Sequence, residues 1–149
     1  MSQSFRVLLV EDDECLRSCL GEFLSSQGWD VAATGFAVEA LRLAQRQRFD
    51  FSLLDFHLPG MTGLELFQQL AAMRPLPAIL MSGLASPDEA LAAQHAGFFA
   101  FLRKPLDLGR LRNSLHLLIQ THFGGPLIAH LPARRQPPQP PSPPPRPGR

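Results

Sequence analysis

The segment FRVLLVEDDE, residues 5–14, places a run of apolar residues directly before a cluster of acids. Arg6 is the single break in the run, so residues 5–10 are predicted to form a strand buried on both faces, as in a parallel sheet. The acids mark the end of this strand and the start of a helix. Further strand-like segments follow along the chain at residues 29–34, 49–54, 77–81 and 98–102.

Segments with apolar residues at helical spacing alternate with these strands. They cover residues 14–27, 36–47, 64–73, 86–97 and 107–120, and the Pro- and Gly-rich residues 58–63 are predicted to be a loop. The fourth helix has the clearest signals, with Ser86 as a cap, Pro87 in the first turn and Gly97 at the end. Strand–helix units repeated in this way predict an α/β fold with a doubly wound, five-stranded parallel sheet.

The composition predicts one domain and a tail. The chain has 149 residues, of which 45% are hydrophobic and 18% charged, and its formal net charge is +1. Residues 132–147 hold nine of the fifteen prolines, and residues 134–149 hold four arginines without an acid, which leaves about −3 for residues 1–133. We therefore expect a mildly acidic domain over residues 1–122 and a disordered Pro/Arg-rich tail over residues 123–149.

The sequence also predicts where this protein acts. It has no unbroken run of about 18 apolar residues, which a membrane-spanning helix needs. Acids follow the first apolar run where a signal peptide would continue its apolar stretch. We therefore expect a cytoplasmic protein without a membrane partner. The segment after the fifth helix is short and rich in proline, so we expect no DNA-binding domain and a stand-alone protein.

Polar residues follow four of the predicted strands, at the edge where such sheets bind ligands. They are Asp12 and Asp13, Asp55, Ser82 and Lys104. Three carboxylates that close need a cation to share the site, and ligands made only of oxygen suit Mg²⁺ or Mn²⁺. The lysine, the only one in the chain, offers a compact charge for a phosphoryl group, and the serine offers a hydroxyl. These parts predict phosphoryl transfer onto an aspartate.

Four segments together resemble the receiver domain of bacterial two-component response regulators. They are VLLVEDDE (7–14), LLDFHLPGMTGLEL (53–66), ILMSG (79–83) and FLRKP (101–105). The resemblance extends over about residues 4–121, in the family's order and spacing. It implies a flavodoxin-like (βα)5 fold with the strand order 2-1-3-4-5.

The resemblance also implies which residues accept the phosphoryl group and hold the metal. It makes Asp55 the phospho-acceptor and a metal ligand. It makes Asp12 and Asp13 the acid pair that binds Mg²⁺. A further metal contact falls on the backbone carbonyl of His57, two residues past the acceptor.

The remaining residues of the family's site fall on the fourth and fifth strands. Ser82 becomes the phosphoryl-binding hydroxyl, Phe101 the aromatic residue of the conformational switch, and Lys104 the phosphoryl-binding lysine. The peptide bond before Pro105 is expected to be cis, which suits an X-Pro bond. The resemblance thus implies a protein that takes a phosphoryl group from a sensor histidine kinase or phosphotransfer protein and then binds an output protein. It is not expected to be an enzyme beyond its own phosphorylation and dephosphorylation.

Three alternatives stay open at this point. A degenerate receiver could bind partners without phosphorylation. A phosphatase with an aspartate nucleophile needs a second aspartate two residues further on as acid and base, and His57 stands there. A flavin-binding protein of the same fold needs a phosphate loop rich in Ser, Thr and Gly after the first strand, where this chain has four acids.

Overall fold

A computed structural model describes residues 4–124 and Pro145 of the chain. The strands in chain order are β1 (Arg6–Val10), β2 (Asp30–Thr34), β3 (Phe51–Asp55), β4 (His57–Leu58), β5 (Met61–Thr62), β6 (Ala78–Ser82) and β7 (Ala100–Arg103). The described residues also form the helices α1 (Glu14–Ser26), α2 (Ala37–Arg46), α3 (Gly63–Met73), α4 (Pro87–Ala96) and α5 (Leu108–Phe123).

Five of the strands form one parallel sheet in the order β2-β1-β3-β6-β7. Each neighbouring pair in this sheet is parallel. Counting only these five strands along the chain, the order is 2-1-3-4-5. The predicted doubly wound, flavodoxin-like fold is therefore confirmed. The carboxyl ends of these parallel strands lie along one edge of the sheet, and the ends of β1 and β3 are neighbours there.

Helices cover both faces of the sheet. Because successive side chains of a strand point to opposite faces, Val7 and Leu9 pack with side chains of α1 and α5, whereas Leu8 and Val10 pack with side chains of α2, α3 and α4. All four residues are fully buried. Burial from both sides is the physical reason that this strand is an almost unbroken apolar run in the sequence.

Some predicted boundaries differ from the structure. The region predicted as a loop over residues 58–63 contains part of a small antiparallel hairpin, in which β4 pairs with β5 around Gly60. The positive φ of Gly60, 77°, makes this tight turn inexpensive for the backbone. Strand β7 begins at Ala100, later than predicted, because the N–H of Phe98 still donates to the Ala93 carbonyl at 3.1 Å and completes the end of α4.

Polar side chains cap four of the five helices in the described part of the chain, whereas α2, with Phe36 at its N-cap, has no side-chain cap. Asp13 caps α1, and Thr62 forms a capping box with Glu65 at α3. Ser86 caps α4 ahead of Pro87, as the sequence predicted. These caps satisfy backbone N–H groups at the start of the capped helices, so the loops that lead into those helices are held in defined positions.

Helix α5 ends at Phe123 and is followed by Gly124, so it passes the expected domain boundary by one residue. The Pro/Arg-rich tail was predicted over residues 123–149. Of these, only Phe123, Gly124 and the exposed Pro145 belong to the described residues. None of the helices in the described part of the chain combines the length and the apolar character required to span a membrane.

Candidate functional site

Asp55 ends the central strand β3, at the carboxyl edge of the sheet. It pairs with Met81 of β6, and the next residue continues this pairing, because the Phe56 N–H donates to the Met81 carbonyl at 2.8 Å. The side chain of Asp55 is almost fully buried. Strand β3, which pairs with β1 on one side and β6 on the other, therefore ends in a single buried carboxylate at a defined position.

A close approach of backbone supports this position. Gly63 begins α3, and its N–H donates to the Phe56 carbonyl at 2.8 Å. A Cβ added at Gly63 would lie 2.3 Å from the carbonyl oxygen of Asp55 and 2.9 Å from Cδ1 of Leu80. Only glycine fits at such a distance, so the start of α3 lies directly against the end of β3.

Two acids after β1 meet the Asp55 carboxylate. One carboxylate oxygen each from Glu11, Asp12 and Asp55 lies within 4.8 Å of the others. Glu11 is fully buried because its N–H still donates to the Thr34 carbonyl at 3.0 Å, which extends the pairing of β1 with β2 by one residue. The expected convergence of acids from β1 and β3 is therefore present in the structure.

The identity of one acid in the cluster corrects the sequence-based assignment. Asp13 was expected beside Asp12, but it is not a member of the cluster. Its Oδ1 instead accepts from the backbone N–H groups of Cys15 at 3.0 Å and Leu16 at 3.2 Å, as the cap of α1. The physical reason is that the free N–H groups of a helix start compete for the carboxylate nearest to them. Glu11 occupies the place expected for Asp13.

Lys104 completes the cluster from the end of β7. Its Nζ lies 2.5 Å from Oε1 of Glu11 and 3.2 Å from Oδ1 of Asp55. The Lys104 N–H donates to the Ser82 carbonyl at 2.9 Å, so the backbone is held against β6. The peptide bond between Lys104 and Pro105 is cis. One ammonium group therefore faces two of the three carboxyl groups.

The four groups of the cluster influence one another's ionisation. Burial raises the pKa of Glu11 to about 8, and the neighbouring Asp55 adds to this shift. Burial also raises the pKa of Asp12. For Asp55 burial acts in the same direction, but the interactions with Glu11, Asp12 and the Lys104 ammonium outweigh it and lower its pKa. These shifts favour ionisation of Asp55, and a carboxylate is the form that a nucleophile needs.

The donor set fits a divalent cation. Oε2 of Glu11 is buried and has no hydrogen-bond partner among the described residues. A buried carboxylate oxygen without a partner calls for a proton or an ion to complete its surroundings. The cluster offers only oxygen ligands, which is the set that Mg²⁺ prefers. The residues present therefore fit Mg²⁺.

Ser82 lies at the end of β6 and points to a partner that the sequence did not predict. Its hydroxyl donates to Oε1 of Glu89 at 2.6 Å. Oε2 of the same Glu89 lies 3.0 Å from Nε2 of His57. The N–H of His57 donates to Oδ1 of Asp55 at 3.3 Å. The structure thus brings the predicted hydroxyl and the residue two past the acceptor together through one buried glutamate.

Phe101 is partly buried in β7. It pairs with Leu80 of β6 and packs against the side of the core that includes Leu66 and Ala93. Its neighbour Leu102 packs on the opposite face of the same strand. Phe101 therefore packs on the face of the sheet that α3 and α4 cover, and its role in a conformational switch stays a prediction.

Two residues of the site escaped the sequence-based assignment. Glu11 stands in a run of four acids, and nothing in that run marks which side chain turns inward. Glu89 stands in the first turn of α4, where an acid is ordinarily explained by the free N–H groups of the helix start. Both became visible only when the strands and helices were placed in space.

The comparison with protein families agrees with this geometry. Residues 7–116 match the family model described as the response regulator receiver domain. The chain belongs to this family. Receiver domains are the signalling modules of two-component systems, so the family resemblance inferred from the sequence is confirmed.

Curated relatives support the assignment at the level of the receiver domain. The chain is 34% identical over 110 residues to the transcriptional regulatory protein GlrR of Escherichia coli, which covers 73% of this chain and 25% of that protein. It is 37% identical over 106 residues to the transcriptional activator protein PfeR of Pseudomonas aeruginosa, covering 71% and 35%. The chain thus matches about a quarter to a third of the length of these relatives.

Solved structures share the fold over most of the receiver domain. The chemotaxis protein CheY4 of Vibrio cholerae superimposes with a TM-score of 0.73 at 26% identity, over 78% of this chain and 99% of that one. The signal receiver domain of a modulated diguanylate cyclase from Desulfovibrio desulfuricans has a TM-score of 0.73 at 30% identity, over 80% and 97%. Nearly the whole of each receiver domain is therefore matched by this chain.

Proposed function

We propose that this receiver domain is a cytoplasmic phospho-acceptor that takes a phosphoryl group onto Asp55. The observation that carries the proposal is the setting of the Asp55 carboxylate, which is buried beside two other acids and 3.2 Å from the Lys104 ammonium. A lowered pKa keeps this carboxylate ionised among neighbours whose pKa values are raised. Such a group is suited to attack an electrophilic phosphorus atom.

The donor in this proposal is the phosphohistidine of a sensor histidine kinase or of a phosphotransfer protein. An oxygen of Asp55 forms a bond to phosphorus as the bond between phosphorus and the donor imidazole breaks. The imidazole then takes up a proton. The receiver domain contributes by holding the nucleophile and by neutralising charge on the phosphoryl oxygens, which is the main requirement of phosphoryl transfer.

Mg²⁺ belongs to the proposed site. Asp55, Asp12 and Glu11 would hold it, and we keep the backbone carbonyl of His57 as a further proposed ligand. Asp13, which caps α1, takes no part in this proposal. When bound, the ion supplies positive charge that stabilises the transferring phosphoryl group. It would also provide the partner that Oε2 of Glu11 lacks among the described residues.

Lys104 and Ser82 supply the other contacts in the proposal. The ammonium of Lys104 faces Asp55 and is positioned to bind a phosphoryl oxygen as a point charge. Ser82 would donate its hydroxyl to a second oxygen, and Phe101 would then repack towards the core. The output is a change in the surface around α4 and β7 that a partner protein recognises.

The test is phosphorylation by a small donor such as acetyl phosphate in the presence of Mg²⁺. We expect the wild type to gain one phosphoryl group that is stable in acid and released in base, as an acyl phosphate is. Asp55→Asn should gain none, whereas Asp88→Asn, which alters an exposed acid of α4, should be labelled like the wild type. Equal labelling of wild type and Asp55→Asn contradicts the proposal.

A further inference from the structure

Three side chains from different parts of the chain form one hydrogen-bonded series beside the phospho-acceptor. The Ser82 hydroxyl donates to Oε1 of Glu89 at 2.6 Å, and Oε2 of Glu89 lies 3.0 Å from Nε2 of His57. Ser82 is fully buried, and only 10% of the Glu89 side chain is exposed. Each oxygen of this buried carboxylate has a hydrogen-bonding partner. Removing either partner would leave a buried oxygen unpaired, which is costly, so the arrangement is specific.

Helix α4 holds Glu89 in this position. The backbone N–H of Glu89 donates at 3.1 Å to the Oγ of Ser86, which caps this helix. From this fixed position Glu89 accepts the Ser82 hydroxyl at 2.6 Å, in a part of the site that is almost shielded from water. Such a short hydrogen bond to a carboxyl oxygen is a strong competitor for the serine hydroxyl.

The Ser82 hydroxyl has a single proton to donate. In the structure that proton is directed to Glu89, while the oxygen accepts from the Ala85 N–H at 3.2 Å. The one donor of the Ser82 hydroxyl is thus already used. It cannot donate to a phosphoryl oxygen on Asp55 until the bond with Glu89 is broken.

We propose that Glu89 is a positioning residue that holds Ser82 in its unphosphorylated arrangement and competes with the phosphoryl group for the serine hydroxyl. This inference rests on the proposed function of Asp55 and adds a regulatory element to the same site. Glu89 touches neither Asp55 nor the metal-binding acids in the hydrogen bonds described. It acts through Ser82.

Release of Ser82 has a defined structural consequence. The same hydroxyl oxygen accepts the N–H of Ala85, which has a left-handed φ of 45° that is unfavourable for a non-glycine residue. When the Ser82 hydroxyl leaves Glu89, its hydrogen bond with the Ala85 N–H changes, and the loop over residues 83–85 loses that support. Glu89 keeps its contact with His57. The loop between β6 and α4 is therefore the part of the domain that this exchange moves first.

The experiment is a double-mutant cycle on the rate of phosphorylation by acetyl phosphate with saturating Mg²⁺. The variants are Glu89→Ala, Ser82→Ala and the double variant, with Asp88→Asn as a matched control from the same turn of α4. Glu89→Ala should raise the rate about five- to tenfold, because a charged hydrogen-bond acceptor no longer competes for the hydroxyl. In the Ser82→Ala background the same substitution should change the rate less than twofold.

Glu89→Gln gives the conservative variant and preserves the test when Glu89→Ala unfolds. It keeps the shape of the side chain but removes the charge, so the rate should rise by about two- to threefold. Thermal melting of each variant shows whether the folded domain is being compared. A purely structural role for Glu89 would lower the melting temperature without accelerating phosphorylation.

The outcomes distinguish a failure of this proposal from a failure of the proposed function. If the wild type is labelled at Asp55 but neither Glu89 variant is faster, the role of Glu89 is wrong and the phospho-acceptor function stands. If Glu89→Ala is equally faster with and without Ser82, Glu89 acts by repelling the phosphoryl group and the competition for the hydroxyl is wrong. If the wild type gains no label at Asp55, the phospho-acceptor function fails and this inference fails with it.

Discussion

The ammonium nitrogen of Lys104 lies 3.2 Å from Oδ1 of Asp55 and joins the ends of strands β7 and β3. Only 19% of the lysine side chain is exposed. Burial alone would lower the pKa of Lys104, but its contacts with Glu11 and Asp55 outweigh that effect and raise the pKa. The lysine therefore stays charged inside the cluster.

This contact predicts that Lys104→Arg does not replace the lysine although the charge is retained. The broad guanidinium cannot make the 2.5 Å contact with Glu11 and the 3.2 Å contact with Asp55 in the space that one ammonium fills. We expect phosphorylation by acetyl phosphate to slow by about tenfold or more. Arg103→Lys, an exchange at the exposed neighbouring position, is the control and should keep the wild-type rate. A wild-type rate in Lys104→Arg would show that any cation suffices.

The corrected acid pair predicts that Glu11 and not Asp13 determines Mg²⁺ affinity. Glu11→Gln should weaken Mg²⁺ binding by about tenfold, because it removes a negative charge from an all-oxygen ligand set. Asp13→Asn should leave the affinity within about twofold, since asparagine also caps helices well. Isothermal titration calorimetry with MgCl₂ measures both. A larger loss in Asp13→Asn than in Glu11→Gln would restore the pair expected from the sequence.

The raised pKa of Glu11 predicts a pH-dependent stability of the metal-free domain. The folded value is about 8 and the ordinary value is 4.5, so the folded state binds a proton more tightly than the unfolded chain does. The stabilising contribution of the Glu11 proton is then fully present below about pH 4.5 and is lost as the pH rises towards 8. We expect the contribution of this group to the free energy of unfolding to fall by up to roughly 5 kcal/mol across that window.

Urea denaturation in EDTA at several pH values between 5 and 8.5 measures this dependence. Glu11→Gln cannot ionise and should show a flatter profile. Mg²⁺ should reduce the loss in the wild type, because the cation takes the place of the proton. The lowered pKa of Asp55 acts in the opposite direction, but its contribution is lost only as the pH falls below the ordinary range of an aspartate. Identical profiles for wild type and Glu11→Gln would contradict the assignment.

The close approach at Gly63 predicts that even alanine damages this position. The added Cβ would lie 2.3 Å from the Asp55 carbonyl oxygen, so α3 or the end of β3 has to shift. We expect Gly63→Ala to cost about 2–4 kcal/mol of stability, in the range of overpacked cores and strained backbones. Gly21→Ala is the matched control: nothing lies within 4 Å of its Cβ in helix α1, and it should stabilise by about 0.5–1 kcal/mol. Urea denaturation compares the two, and equal effects would show that the close approach is relieved at no cost.

The position of Phe101 predicts that it transmits the phosphorylation signal without being needed for phosphorylation. Phe101→Ala should be labelled at Asp55 like the wild type, because the ring packs with apolar side chains of the core and supplies no ligand to the acid cluster. Beryllium fluoride, an analogue of the phosphoryl group, should change hydrogen exchange over residues 83–86 and 100–103 in the wild type. The change over residues 100–103 should be lost in Phe101→Ala.

Leu102→Ala is the control for this prediction, since Leu102 packs on the opposite face of β7. It removes apolar contacts of similar depth and should leave the response to beryllium fluoride in place. An unchanged response in Phe101→Ala would mean that the signal passes to the surface through other side chains.

Much of the fold follows from local patterns in the sequence. Residues 5–10 are an apolar run because β1 is covered by helices on both faces, and that pattern identifies a parallel strand without further information. The strand ends also place Asp12, Asp55, Ser82 and Lys104 at one edge, since parallel strands share a carboxyl edge. The fold and the general location of the site were therefore predictable.

The tertiary structure alone decided which acids converge and which side chain accepts the hydrogen bond of the Ser82 hydroxyl. Residues 11–14 are all acids, and their identities cannot show that Glu11 turns inward while Asp13 turns to the start of α1. Glu89 has the appearance of an ordinary first-turn acid, and only the packing of α4 against the end of β6 brings it to Ser82. Side-chain direction in a loop depends on contacts with distant elements, and a linear pattern carries no record of those contacts.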